Sequence, residues 1–334
     1  MKVLYVGPYA GETDIVSKSL AGHEITYVPT LAEVKDDVRS EIEILSVFVN
    51  TPVDSETLES FPKLKLIAAR STGYDHIDCE AARALDVTVV HVPHYGTQTV
   101  AEFAFALMFA LSRNVYRAYS DMQAQTNVAT LEAYEGFDMA GKTLGIIGTG
   151  AIGKHACKIA CGLGMKVLAY DIYPNEELAE HPSVEYVDLS TLSSQADIVT
   201  VHVPSIPATH HLINEEILTA MKPTAYLINT ARGDVVDTHA LVKALKSKSI
   251  SGAGLDVLEG EHDLHDELEL LTEGNNDQSV WRTLIADHAL IDMQNVIVTP
   301  HIAFNTREAK KEITDSTTQN ISAYIAGEVT NQVT

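Results

Sequence analysis

Three charged residues, Arg232, Glu261 and His301, each follow a short apolar run and so stand at the ends of expected strands. Arg232 comes after LINTA and is followed by Gly233, Glu261 comes after GLDVLEG, and His301 after IVTP. An arginine offers a planar fork that can hold a carboxylate while polarising a neighbouring carbonyl. A histidine can give a proton to a nascent alkoxide, or accept it in reverse. A glutamate beside that histidine would favour the imidazolium and carry the reductive direction to higher pH. Each has a plainer reading alone: Arg232 as a strand-end cap, Glu261 as a solvated acid, His301 as a satisfied core histidine. Together, at strand ends where ligands meet open α/β sheets, they read as a catalytic set.

What they act with is written between Thr143 and Asp171, TLGIIGTGAIGKHACKIACGLGMKVLAYD. A strand, Thr143–Ile147, runs into Gly148, Gly150 and Gly153, spaced G-x-G-x-x-G, and then into a helix from Ala151 to Leu163. A second apolar strand, Lys166–Tyr170, ends on Asp171. Gly148 permits the tight turn, Gly150 lets the backbone approach a pyrophosphate, and Gly153 lets helix pack on strand. The helix start, at Ala151 and Ile152, supplies free N–H groups and a positive dipole end. Asp171 would accept hydrogen bonds from the adenosine ribose and repel a 2′-phosphate. No Arg follows it in Ile172-Tyr173-Pro174, so NAD is expected over NADP. With NAD on this face, the reaction is hydride transfer.

These elements belong to an ordinary globular chain of 334 residues, 46% hydrophobic and 21% charged, long enough for two domains. No apolar run approaches a membrane span, and MKVLYVG reads as a strand rather than a signal peptide. The net charge of −23 argues against nucleic acid or an anionic membrane as partner. A site for anions must therefore be made positive locally, by helix ends and a few Arg or His. Cys79, Cys157 and Cys161 cannot all pair, which suggests a reducing, cytoplasmic setting. Cys157 and Cys161, four apart on a helix, fit a buried face better than a metal site, because no further Cys or His cluster completes one. No metal is expected.

Apolar runs at Val3–Val6, Ile25–Val28, Ile44–Val49, Leu66–Ala69 and Val87–Val92 alternate with helix-compatible segments such as Leu31–Ser40. After the glycine loop, strands follow at Asp197–Val203, Ala225–Thr230, Ile250–Leu255 and Val296–Thr299, with helices at Asn214–Ala220 and Thr238–Ser247. The fold class is α/β, with two doubly wound parallel-sheet domains: a flavodoxin-like substrate domain and a Rossmann NAD domain, with a cleft between. Residues 1–97 with 300–334 form the first, where the final helix Thr306–Ile325 returns, and 98–299 the second. Thr97–Arg113, TQTVAEFAFALMFALSR, is apolar on most sides and fits core or subunit packing. Asp263–Ile291, with the only Trp (Trp281), interrupts the rhythm and reads as an insertion, a lid or a surface loop.

The chain resembles the D-isomer-specific 2-hydroxyacid dehydrogenase family nearly end to end. The likeness is carried by RSTGYDHIDCEAA from Arg70, VPHYGTQTVAE from Val92, GKTLGIIGTGAIG, TVHVPSIPATHHLIN, LINTARGDVVD, GAGLDVLEGE and TPHIAFNT. The resemblance implies that Arg232, Glu261 and His301 are the catalytic Arg–Glu–His set. It implies that Ser71, Thr72, Gly73 and Tyr74 lie on a loop whose N–H groups hold the substrate carboxylate. Asp256 corresponds to an acid near the nicotinamide, and Val203, Pro204, Thr230 and Ala231 would line the cofactor. Within the family the chain is most similar to the D-lactate dehydrogenase branch. Tyr95 matches a tyrosine of its substrate pocket, though it could equally be a hinge residue, and HIAFNT resembles its H-x-A-F-x-T pattern. Phe304 and Phe48 would then bound a small apolar pocket suited to a methyl group.

Two features depart from that branch: the longer segment between Glu261 and His301, and STGYDHID where N-x-G-x-D-N-x-D is commoner. The resemblance implies a small 2-oxo or 2-hydroxy acid as substrate, with pyruvate and D-lactate leading; NAD is the expected cofactor, and a homodimer through the apolar helix near 97–113 is expected. Glyoxylate, hydroxypyruvate and 2-oxoisocaproate stand as alternative substrates, and an NAD(H)-sensing corepressor-like protein as the alternative class. Formate is a poor candidate, because formate dehydrogenases of this superfamily carry Gln where Glu261 stands.

Overall fold

The computed structural model describes residues 1–124, 130–261, 264 and 277–333. The chain divides into two compact units, one of Met1–Gly96 with Asn305–Thr334 and the other of Thr97–Phe304. In the first, β1 (Lys2–Val6), β2 (Glu24–Val28), β3 (Ile44–Val47), β4 (Leu66–Ala69) and β5 (Thr88–Val90) form a parallel sheet in the order β2-β1-β3-β4-β5. Alternate residues point to opposite faces, as the period of a strand dictates. Leu4, Val6, Leu45, Val47 and Ile67 fill one layer. Val3, Tyr5, Ile44, Leu66 and Val90 fill the other, where Val16 of the helix Glu12–Ser19 and Ile321 of the helix Arg307–Ile325 cover them.

The second unit holds β6 (Thr143–Ile147), β7 (Lys166–Tyr170), β8 (Val184–Tyr186), β9 (Ile198–Val201), β10 (Tyr226–Asn229), β11 (Gly252–Leu255) and β12 (Val296–Val298). All are parallel, in the order β12-β11-β10-β9-β6-β7-β8. The order reverses between β6 and β9, which is the switch point where doubly wound sheets take dinucleotides. Leu144, Ile146, Val167 and Ile228 meet Ala104, Phe105, Met108, Ala156 and Cys157 on one face. Ile147, Val199, Leu227 and Leu255 meet Leu241, Leu245 and Leu290 on the other. Cys157 is thus core, and burial pushes its thiol up to about 12. Cys161 lies 3.7 Å from His181 Nδ1. Among the described residues, no group of three His, Cys, Asp or Glu has metal-holding geometry, and no helix is long and apolar enough to cross a membrane.

Several expectations change in detail. β8 is too short, at three residues, to stand out as a periodic run. Leu31–Ser40 is not one helix but a single tight turn at Leu31–Glu33 and a four-residue helix at Asp36–Arg39. The helix Thr97–Ser112 buries Val100, Ala101, Ala104, Phe105, Leu107, Met108 and Leu111 within its own unit. Part of the stretch read as an insertion is regular structure instead. Gln278–Ile291 is a helix that feeds β12 and buries Leu284 and Leu290, and residues 263 and 265–276 of that stretch lie outside the described residues.

Candidate active site

Parallel strands deliver their following turns to one edge of the sheet. The turns after β6, β9, β10, β11 and β12 therefore share that edge, and they carry Gly148, Val203, Arg232, Glu261 and His301 in that order.

The three glycines of the first turn are needed for three different reasons. Gly148 has φ of +93°, and a Cβ there would also stand 2.7 Å from the His202 carbonyl oxygen. A Cβ on Gly153 would come 1.9 Å from the Gly148 carbonyl oxygen, so the helix Ala151–Gly162 can approach the turn only without it. A Cβ on Gly150 would meet nothing within 4 Å. Nothing in the chain excludes a side chain there, and the open space fits a pyrophosphate lying on the helix start. Val203 leans on this turn, its Cγ1 being 2.9 Å from where a Gly148 Cβ would be. Pro204 follows it, exposed. Thr230, in the turn after β10, has a buried hydroxyl with no partner among the described residues. An orphaned hydroxyl and an unfilled cradle on one edge fit a bound dinucleotide.

Asp171 stands at the end of β7, beside the glycine turn. Its Oδ2 accepts from Thr149 N–H at 2.6 Å and from the Thr149 hydroxyl at 3.0 Å, and its Oδ1 from Tyr173 N–H at 2.9 Å. Tyr186 donates to the Thr149 hydroxyl at 2.9 Å. The acid thus braces the loop, a task the motif does not reveal.

Arg232 is placed by Asn229, whose Nδ2 donates to the Arg232 carbonyl at 2.8 Å and whose Oδ1 accepts from Ala231 N–H at 3.0 Å. The guanidinium Nη1 donates to the Ala231 carbonyl at 2.9 Å. A Cβ on Gly233 would stand 2.1 Å from the Leu258 carbonyl carbon, so the arginine turn packs directly on the turn that carries Glu261. Glu261 Oε1 lies 2.8 Å from His301 Nδ1, and its Oε2 accepts from Leu258 N–H at 3.3 Å. His301 adopts φ of +51°, a left-handed conformation that costs on the order of 1–3 kcal/mol for such a residue.

Asp256 over-determines that conformation. Its backbone carbonyl accepts from His301 N–H at 2.9 Å. Its carboxylate takes the Thr299 hydroxyl at 2.5 Å, Ile302 N–H at 3.0 Å and Ala303 N–H at 2.7 Å. Burial lifts this carboxyl above the ordinary range, against the pull of those bonds. Asp256, expected near the nicotinamide, holds the 299–303 turn with both oxygens. Phe304, half-buried, ends the same turn.

The other expected residues belong to the first unit. Ser71 is buried and donates to the Gly73 carbonyl at 2.6 Å, and Thr72 donates to the Val92 carbonyl at 2.8 Å. Tyr74 meets the His91 ring edge-on, with centroids 5.5 Å apart. Among the described residues, the N–H groups of Thr72, Gly73 and Tyr74 find no protein acceptor. Tyr95 is half-buried and acts electrostatically on Tyr9, whose ring packs edge-on against Phe48 at 5.6 Å. Before this loop lies a cluster that the motifs do not announce. Arg70 is fully buried, paired with Glu12 at 3.0 Å and stacked 4.4 Å from the Tyr5 ring centre. Tyr5 and Thr314 hydroxyls donate to Glu12 at 2.6 and 3.0 Å. Its trace in the sequence is Arg70 itself, at the head of RSTGYDHIDCEAA and directly after the apolar strand LIAA, with nothing to show that Glu12 meets it.

Residues 105–303 match the family described as D-isomer specific 2-hydroxyacid dehydrogenase, NAD binding domain. A D-lactate dehydrogenase of Escherichia coli is 40% identical over 291 residues, covering 86% of this chain and 84% of that protein. A glycerate dehydrogenase of Methylorubrum extorquens is equally 40% identical, over 293 residues, covering 86% and 85%. Among solved structures, D-lactate dehydrogenase of Aquifex aeolicus, complexed with NAD and lactic acid, superposes with a TM-score of 0.86 at 35% identity, over 98% of this chain and 96% of that one. The chain belongs to the D-isomer-specific 2-hydroxyacid dehydrogenase family, as an NAD-dependent oxidoreductase built on two parallel α/β sheets.

Asp171 gives the cofactor preference a direct test. Asp171→Asn removes the charge expected to repel a 2′-phosphate and keeps one acceptor oxygen, which can serve the Thr149 N–H or the Tyr173 N–H but not both. The ratio of kcat/KM with NADH to that with NADPH is expected to fall by roughly tenfold or more. An unchanged ratio would show that discrimination lies elsewhere.

Proposed function

We propose that this protein reduces pyruvate to D-lactate with NADH. The observation that carries the chemistry is the 2.8 Å contact between Glu261 and His301 Nδ1, at the same sheet edge as Arg232. Bound NADH supplies the hydride. The N–H groups of Ala151 and Ile152 and the open face of Gly150 would hold its pyrophosphate, Asp171 its ribose, and Val203, Pro204, Thr230 and Ala231 would line it. Arg232 binds the 2-oxo acid and draws electron density from its carbonyl. With Nδ1 committed to Glu261, Nε2 is the nitrogen left to give His301's proton to the substrate oxygen. The unpartnered N–H groups of Thr72, Gly73 and Tyr74 support their role as donors to a carboxylate. Tyr95 and Phe304, with the HIAFNT pattern, favour a small 2-oxo acid.

A larger or more polar acid is the second reading, favoured by the glycerate dehydrogenase that is as similar as the lactate enzyme. NADH oxidation with pyruvate, glyoxylate, hydroxypyruvate, 2-oxoisocaproate and oxaloacetate separates the two. Preference for pyruvate supports the first, and preference for another acid replaces it. Binding of NADH without turnover on any of them would instead make the chain a sensor. The three thiols are free, in keeping with a cytoplasmic address.

We also propose a homodimer. The helix Val115–Gln123 buries none of its residues and presents Val115, Tyr116, Tyr119 and Met122 as an exposed apolar stripe, with Tyr119 63% and Met122 62% exposed. This stripe, directly after the core helix Thr97–Ser112, suits a second copy better than water. Tyr119→Glu is expected to give a monomer by sedimentation. A dimer of undiminished stability would place the interface elsewhere.

A further inference from the structure

The helix Gln278–Ile291 turns one face inward, with Leu284, Ala286 and Leu290, and in their midst stands Asp287, fully buried. Its Oδ2 accepts the Gly260 N–H at 3.0 Å, and its Oδ1 is buried with no partner among the described residues. The fit is close, since a Cβ on Gly260 would come 2.8 Å from that Oδ2. A leucine would pack this position without the cost of a half-satisfied buried acid. The one bond the acid does make falls on the residue just before Glu261.

We propose that Asp287 is a positioning residue for the Glu261–His301 pair, clamping Gly260 so that the 258–261 turn presents Glu261 to the histidine and, when ionised, adding a negative charge behind the pair. This rests on the catalytic reading of Glu261 and His301. The principal charged groups acting on Asp287 are Glu259, Glu261 and His288. Glu259 is itself paired with His211 at 2.7 Å. The helix Thr238–Lys246 packed alongside carries His239, Lys243 and Lys246, and β12 carries no titratable group. Burial above all, with Glu259 and Glu261 adding to it against the Gly260 bond, raises the Asp287 carboxyl to about 7. It is therefore neutral on the acid side of the physiological range and charged on the alkaline side. A carboxyl raised on folding stabilises the fold least above its folded value, so replacing it with an amide should raise Tm more at alkaline than at acid pH.

The test compares Asp287→Asn and Asp287→Leu in the full chain, measuring kcat and KM for reduction across neutral pH. Asp287→Asn keeps an acceptor for Gly260 but never ionises. Its kcat should match the parent on the acid side, while its alkaline limb moves down by about half a pH unit, because the charge favouring the imidazolium is gone. Asp287→Leu loses the clamp, and kcat should fall roughly 10- to 100-fold with KM for NADH unchanged. Parental kcat and pH profile in both variants would overturn the proposal, as would a fall in kcat that the amide does not rescue. If the leucine variant does not fold, the limb of the amide variant decides alone. Glu261→Gln and His301→Ala are measured beside them. If these two leave reduction unchanged, the catalytic reading has failed. If they reduce it while the Asp287 variants do not, only the positioning role has.

Discussion

His301→Ala is expected to lower reductive turnover on a 2-oxo acid by roughly 10²–10⁴-fold, the usual worth of a positioned acid or base. NADH affinity should stay near that of the parent, since the cofactor's expected contacts lie on other turns. Glu261 stands 2.8 Å from Nδ1, so the expected loss is that of a proton donor already oriented. His301 also sits at φ of +51°, held there by Asp256, so a poor result could reflect a disturbed turn. His301→Asn removes that ambiguity, because Asn accepts left-handed backbone well but cannot serve as the acid. Both variants should bind NADH, measured by fluorescence titration, and neither should turn over. Reduction within tenfold of the parent in either would end the acid role, and collapse of NADH affinity in both would make His301 a cofactor or structural residue.

Arg232→Ala is expected to cost on the order of 10²–10³ in kcat/KM, as the loss of one preorganised group facing developing charge typically does. Arg232→Lys should recover little, because an ammonium lacks the fork that binds a carboxylate and polarises a carbonyl together. The loss should appear in both KM for the 2-oxo acid and kcat, with KM for NADH unchanged. An alanine variant within tenfold of the parent would refute the role. Equal rescue by lysine would reduce it to simple charge.

The glycine turn and the three candidate residues Arg232, Glu261 and His301 are legible because each signal is local. A strand followed by G-x-G-x-x-G and a helix needs only residues 143–171, and Arg232, Glu261 and His301 each follow a recognisable strand. Less local features were hidden. Asp287 lies in the stretch that reads from sequence as an insertion, and only the packing of Leu284 and Leu290 shows that its face of the helix is buried. Arg70 and Glu12, 58 residues apart, meet because β1 and β4 flank β3 and send the segments that follow them to the same end of the sheet. Gly145, Gly233 and Gly260 lie within the quoted motifs, yet nothing in the motifs shows the neighbour far along the chain that each of them meets.

The sequence by itself determined the family, the two-sheet α/β class, the dinucleotide turn and the residues able to do acid–base and anion chemistry. Period-2 burial and loop chemistry act over a few residues and leave their mark in order along the chain. Tertiary structure alone decided how those residues are held. It set Asp256 beneath the His301 turn and Asp287 against the amide preceding Glu261. Such contacts join segments separated by up to dozens of residues, and a buried polar group takes whichever partner the packing brings within about 3 Å. No local pattern records that choice.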